Sequence, residues 1–368
     1  MSVSIEKRAF GRLPDGTAVD LFVLTNSAGV SVSVMTYGAI ITSVQTPDRT
    51  GRVGEITLAR NTLEEYLEGH PYYGALVGRV CNRISRGGFT LDGTFYPVAS
   101  NTGELHLHGG VRGFDKYVYR AEAESDADHG TVHFYRVSPD GEEGYPGNLS
   151  LRYSVTLDEA MRLTLRYEAT TDRTTVVNLT NHCYWNLSGA AKILDHEVRI
   201  PAPRVLEMTG TVPTGRFLSV SGDGEKGGTA VDRTGAFDFT EWKAIGRDIA
   251  ALDDTPAGGY DHSYAIDGWK PVAADDAEPV LRTAADVRAP ASGRTLAVRT
   301  SYPAVHFYSG NNLPGETGRG GETLSGREAF CLECQFFPDS PNRPEFPSIR
   351  LEPGETYRHV TEHTFGVI

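Results

Sequence analysis

Apolar and polar residues alternate with a period of two along much of the chain, as in Val19-Asp20-Leu21-Phe22-Val23-Leu24, Val30-Ser31-Val32-Ser33-Val34-Met35 and Leu149-Ser150-Leu151-Arg152-Tyr153-Ser154-Val155. Successive side chains of a strand point to opposite faces, so each run offers one apolar face to a core and predicts a half-buried β-strand. Gly88-Phe89-Thr90-Leu91-Asp92-Gly93-Thr94-Phe95-Tyr96 places Asp-Gly between two β-prone runs, which predicts a two-residue hairpin. Leu157 to Leu163 predicts a second hairpin with a looser turn. Helical periodicity is scarce: Thr62 to Leu67, capped by Asn61 or Thr62, and Glu241 to Gly246 are the two short candidates.

The 41 glycines and 20 prolines are spread among many short strands without strand–helix alternation, which predicts an all-β fold of antiparallel type, best a large β-sandwich. No internal repeat divides the chain. The Gly/Asp/Lys-rich stretch Ser219 to Gly228 and the Ala/Asp-rich stretch Val272 to Pro279 read as surface excursions, so residues 1–368 are expected to form a single domain. Thirty-five basic against 48 acidic residues give a net charge of −13, which repels phosphate backbones and anionic membrane surfaces and argues against nucleic acid or membrane partners. No apolar run reaches bilayer length, and Glu6, Lys7 and Arg8 are followed by none, so neither anchor nor signal peptide is expected. The cysteines, Cys81, Cys183, Cys331 and Cys334, are too few for a secreted disulfide framework; reduced thiols and a cytoplasmic location are the expectation.

Polar residues packed among aromatics mark five places where chemistry could sit. Asn82 and Arg83 stand side by side before the hairpin, an amide and a guanidinium fork suited to vicinal hydroxyls, or else a solvated pair near a turn. His106 and His108 would share a face of a strand, which opens a metal reading; against it, no third ligand has a familiar spacing, and Gly109-Gly110 lets a ligand approach His108, which favours a hydrogen-bonding role. Asn178, Thr180, His182 and Tyr184 would form one polar row, either a sugar site or the outward face of an edge strand. Asp261 follows Gly258-Gly259-Tyr260 and either accepts sugar hydroxyls or orders a turn. Glu333 lies in the aromatic-rich segment Phe330 to Phe337, where burial would raise its proton affinity as a general base requires, although a structural ion pair has the same signature. Cys331-Leu332-Glu333-Cys334 contains a Cys-x-x-Cys, but an odd offset along a strand sends the two thiols to opposite faces, against zinc or redox use.

In chain order, Asn82-Arg83-Ile84, Leu107-His108-Gly109-Gly110 with Gly113-Phe114-Asp115, Asn178 to Leu187, Asp261-His262, Phe307 to Asn311, and Glu333 with Pro338-Asp339 resemble the aldose 1-epimerase (galactose mutarotase) family. Asn342, Phe346-Pro347 and Leu351 to Gly354 extend the resemblance over nearly the whole chain. It implies the galactose mutarotase type of sandwich, with a free aldose such as glucose or galactose held in an open cleft. Glu333 matches the family's general base and His182 its general acid. Arg83, His108 and Asp261 match residues that hold hydroxyls, with Asn82 as helper. His306 stands where relatives often have Gln, so it is placed among the substrate-binding residues with its effect on sugar choice open.

Ring opening of a cyclic hemiacetal removes a proton from the C1 hydroxyl and delivers one to the ring oxygen. The expected reaction assigns these steps to Glu333 and His182, on opposite sides of the sugar, without cofactor or metal. Two rival readings are a catalytically silent sugar-binding domain and a glycosidase, which would need two carboxylates flanking a glycosidic bond. Both a monomer and a homodimer are compatible with the sequence.

Overall fold

The computed structural model describes residues 3–189, 192–221, 234–272, 278–313 and 315–368. The alternating runs become strands Ala18–Thr25, Ser31–Met35 and Leu149–Asp158, each paired antiparallel with its neighbours. The central nine-stranded sheet has the order Arg120–Ser125, His129–Ser138, Leu149–Asp158, Arg162–Thr171, Tyr357–Val367, Arg294–Thr300, Arg282–Arg288, Glu197–Arg199 and Lys243–Ala244. A five-stranded sheet, Val212–Ser219, Arg204–Thr209, Asp261–Ala265, Ala304–Tyr308 and Cys331–Gln335, lies across the core from it. Tyr153, Tyr167, Leu296 and Val298 of the larger sheet belong to the same buried cluster as Tyr264, Val305 and Leu332 of the smaller one. The expected all-β antiparallel sandwich is therefore present, with a further five-stranded sheet at the N-terminal end of the chain.

Local rules account for the turns. Strands Gly88–Leu91 and Thr94–Pro97 are joined by Asp92 (φ 51°) and Gly93 (φ 75°), the two left-handed positions that a type I′ hairpin turn needs. The helix Leu63–Glu68 starts at Thr62 rather than Asn61: the Thr62 hydroxyl accepts from Glu65 N–H at 3.3 Å, and the Glu65 carboxylate accepts from Thr62 N–H at 3.3 Å, a reciprocal capping box.

The second expected helix does not form. Lys243–Ala244 is instead the edge strand beside Glu197–Arg199, Ile245 N–H donates to His196 O at 2.9 Å, and the buried Lys243 ammonium donates to Ala236 O at 2.7 Å. Pairing with a distant strand outweighs the short helical pattern of six residues, too few to be stable alone. Of the two expected surface excursions, residues 222–228 and 273–277 lie outside the described residues. Among the described residues no helix is long and apolar enough to cross a membrane.

Candidate active site

One wall of the site is the five-stranded sheet. In its register Ser263 lies opposite His306 and His306 opposite Glu333, so the three side chains stand in a row on one face, with Asp261 two residues before Ser263 on that same face. Asp261 Oδ1 is 2.7 Å from His306 Nε2 and Asp261 Oδ2 is 3.4 Å from Arg83 Nη2, while His306 Nδ1 is 2.8 Å from Ser263 Oγ.

The facing wall is made of loops that need unusual backbone. His108 (φ 52°) ends the two-residue strand His106–Leu107 in the left-handed region and is followed by Gly109 (φ 86°), where a Cβ would come within 1.7 Å of Gly78 O. Only glycine permits that approach. Asn82 (φ 60°) is also left-handed; its backbone N–H donates to His108 Nδ1 at 3.2 Å, and its side-chain oxygen accepts from Arg83 N–H at 2.9 Å. Non-glycine residues held in this region carry strain that the surroundings must offset, and such residues cluster at functional sites. Arg79, four residues before Arg83, plays a different part: its buried guanidinium donates to the carbonyls of Ser138, Pro146 and Gly147 and anchors the loop.

His182 follows the two-residue strand Thr180–Asn181, and its ring lies between those of Tyr184 (5.0 Å) and Tyr72 (5.9 Å). Tyr72 also lies 4.5 Å from the His108 ring. His182 Nε2 is 3.5 Å from Glu333 Oε1, Cys331 Sγ is 3.5 Å from His182 Nδ1, and Glu333 Oε2 is buried with no hydrogen-bond partner among the described residues. Burial pushes Glu333 well above the carboxylate range, with the negative Asp261 adding to the rise and Arg83 opposing it. Burial likewise brings His182 down to about 3 and holds His108 well below the usual histidine value. Burial would also raise Asp261, but the hydrogen bond and charge of His306, together with Arg83, hold it below the usual range. The site thus pairs a proton-avid carboxyl with a proton-poor imidazole beside an ionised carboxylate.

The aldose 1-epimerase family profile matches residues 20–364. The chain belongs to the aldose 1-epimerase family. This epimerase is 41% identical to the galactose mutarotase of Bos taurus over 370 residues, 99% of each chain, and 35% identical to the aldose 1-epimerase of Escherichia coli K12 over 357 residues, 96% of each. Its structure is similar to those of an aldose epimerase homologue from C. elegans (TM-score 0.81, 26% identity) and a galactose 1-epimerase from Lactobacillus acidophilus (TM-score 0.81, 27% identity), covering 100% of this chain and 99% of each of theirs. It is an isomerase acting on carbohydrates, a mutarotase.

The epimerase brings together Asn82, Arg83, His108, His182, Asp261, His306 and Glu333, but not in the way strand spacing suggested. The row from Asn178 to Tyr184 is broken after Asn181, whose side chain caps Cys183 N–H at 3.1 Å, and Asn178 is buried against the backbone of Phe336 instead of facing outward. His106 parts from His108 because the strand ends between them; its ring nitrogens meet Ala99 O at 2.8 Å and Tyr145 Oη at 2.7 Å. His108, His182 and Glu333 place potential ligand atoms within 4.8 Å of one another, the spacing of a metal site. The His108 tautomer opposes that use: Nδ1 accepts from Asn82 N–H, so the neutral ring carries its proton on Nε2, whereas a ligating imidazole donates from the nitrogen that is not on the metal. Tyr72 and Ser263 are site members that the sequence reading missed. A positive φ at Tyr72 and a register partner for Ser263 leave no trace in composition or spacing.

Proposed function

We propose that the epimerase interconverts the anomers of free glucose or galactose, with Glu333 as the base at the C1 hydroxyl and His182 as the acid at the ring oxygen. The observation that carries this reading is the contact of His182 Nε2 with Glu333 Oε1 at 3.5 Å, beside a Glu333 Oε2 with no hydrogen-bond partner among the described residues. The expectation of groups on opposite sides of the sugar gives way to neighbouring ones. The C1 hydroxyl oxygen and the ring oxygen are bonded to the same carbon, so two adjacent side chains reach both. Arg83, Asp261, Asn82 and His108 supply donors and acceptors for the remaining hydroxyls; His108, with its proton on Nε2, is a donor into the cleft. Loss of the C1 hydroxyl proton to Glu333 as His182 protonates the ring oxygen opens the ring, rotation about C1–C2 presents the other carbonyl face, and the reverse transfers close it.

The unpaired state of all four cysteines supports a reducing, cytoplasmic setting, and residues 1–368 are inferred to act as one domain with a monosaccharide as the partner. Glu333→Gln tests the assignment. Polarimetry of freshly dissolved α-galactose should show mutarotation lowered at least about 100-fold, with galactose still bound, because a positioned acid–base group contributes roughly 10²- to 10⁴-fold. Wild-type rates in this variant would remove Glu333 from the reaction.

A further inference from the structure

Asp261 can only accept hydrogen bonds when ionised, so the His306 nitrogen 2.7 Å from its Oδ1, Nε2, carries a proton. Its other ring nitrogen, Nδ1, lies 2.8 Å from the Ser263 hydroxyl, which can donate to it or accept from it. Both ring nitrogens of His306 are thereby engaged inside the protein, and the residue, 2% exposed, has none left for a sugar. The resemblance of its position to a substrate contact is better explained by support from below.

The chain of bonds has a definite shape. It leaves the strand Asp261–Ala265 at Ser263, crosses to His306 on the neighbouring strand, and returns two residues earlier at Asp261. The imidazole therefore bridges two side chains of one strand face, and the Asp261 carboxylate is gripped by His306 at one oxygen and Arg83 at the other. The remaining lone pairs of Asp261 are left to accept from a hydroxyl.

We propose that Ser263, acting through His306, is the positioning residue that holds Asp261 ready to accept sugar hydroxyls. This rests on the reading of the cleft as the sugar site. Removal of the Ser263 hydroxyl leaves a buried ring nitrogen without its partner, and an imidazole that turns to satisfy it releases Asp261. A glutamine amide can turn NH₂ toward Asp261 and C=O toward Ser263, whose hydroxyl can donate to it, so His306→Gln should preserve the brace while His306→Leu should not.

Ser263→Ala should raise KM for galactose about tenfold, the effect of one lost hydrogen bond, with kcat within about twofold of wild type. Ser263→Thr should restore KM, and Ser263→Ala added to His306→Leu should change nothing more, since the brace is already broken. A merely structural serine would instead lower folded yield and add its defect in both backgrounds. Unchanged KM in Ser263→Ala, or a fall in kcat at constant KM, would overturn the proposal. Calorimetric titration of galactose into Ser263→Ala and into Ser263→Cys, a weaker hydrogen-bonding group, reads the same effect without turnover, with graded weakening expected and equal affinities refuting it. A wild-type chain that binds galactose without mutarotation would overturn the acid–base reading and leave this one intact.

Discussion

Acidification should unfold this protein well before its carboxylates are neutralised, because it buries histidines in the uncharged form. Burial brings His359 to about 3, and His196 and His363 to about 4, from an ordinary value of 6.5. His359 is stacked on Tyr302 at 4.2 Å, and His363 lies on Trp185 at 5.3 Å, so neither has room to take on a charge and its water. A lowered value means that the unfolded chain binds the proton first: the stability linked to these groups is complete above pH 6.5 and is lost as pH falls toward the folded values. From pH 6.5 to 5 the unfolded form of each imidazole gains about 1.6 kcal/mol by proton uptake, so three together remove roughly 5 kcal/mol, comparable to the stability of a small domain. Urea denaturation at a series of pH values reads this directly as a fall in the extrapolated unfolding free energy. His363→Phe, which keeps an aromatic ring on Trp185, should lower the limiting slope by one proton, about 1.4 kcal/mol per pH unit. Stability flat to within about 1.5 kcal/mol between pH 6.5 and 5 would show that the folded imidazoles take up protons as readily as the unfolded ones, and the reasoning would fail.

Two further outcomes follow from the walls of the cleft. Arg79→Met should destabilise the fold by about 3–5 kcal/mol, because the buried carbonyls of Ser138, Pro146 and Gly147 lose a charged donor that nothing else replaces, as thermal unfolding would show. Prolonged dialysis against EDTA should leave the mutarotation rate unchanged, since the His108 tautomer points a proton at the place a metal would occupy; a rate lost on chelation and regained with zinc would reverse that conclusion.

What was legible in the sequence was whatever local physics decides. Alternation located strands such as Leu149–Asp158, Asp92-Gly93 located a hairpin, and Asn61 or Thr62 marked a helix start, because each depends on residues within a few positions. The segment Glu241 to Gly246 misled for the opposite reason: its conformation is set by pairing with Glu197–Arg199, which no short window contains. The fold gathers the candidate residues into one cleft, yet their partnerships could not be read from spacing. His106 and His108 looked paired until the left-handed His108 backbone separated them, and Cys331, dismissed with its Cys-x-x-Cys, rests against His182. Ser263 was invisible because a serine in a strand has no distinguishing pattern until its register partner is known.

The proposed acid and base also explain each other once their charges are followed through the reaction. Ring opening moves one proton, in effect, from His182 to Glu333 by way of the sugar, turning an imidazolium–carboxylate pair into a neutral imidazole and a carboxylic acid. At 3.5 Å the charged pair is held together by about 5 kcal/mol at an effective dielectric of 20. Burial works the other way, raising Glu333 and lowering His182, and so favours the uncharged pair that accompanies the open-chain aldehyde. The two effects act on opposite sides of the same proton transfer. Their opposition brings the two states closer in energy than either effect alone would leave them, which serves an interconversion between nearly equivalent anomers. A salt bridge of the same residues at the surface would lack the second effect and leave the proton on the histidine; a dry site with the groups far apart would lack the first and strand it on the glutamate. Adjacent placement inside a buried cleft is the arrangement in which both are present.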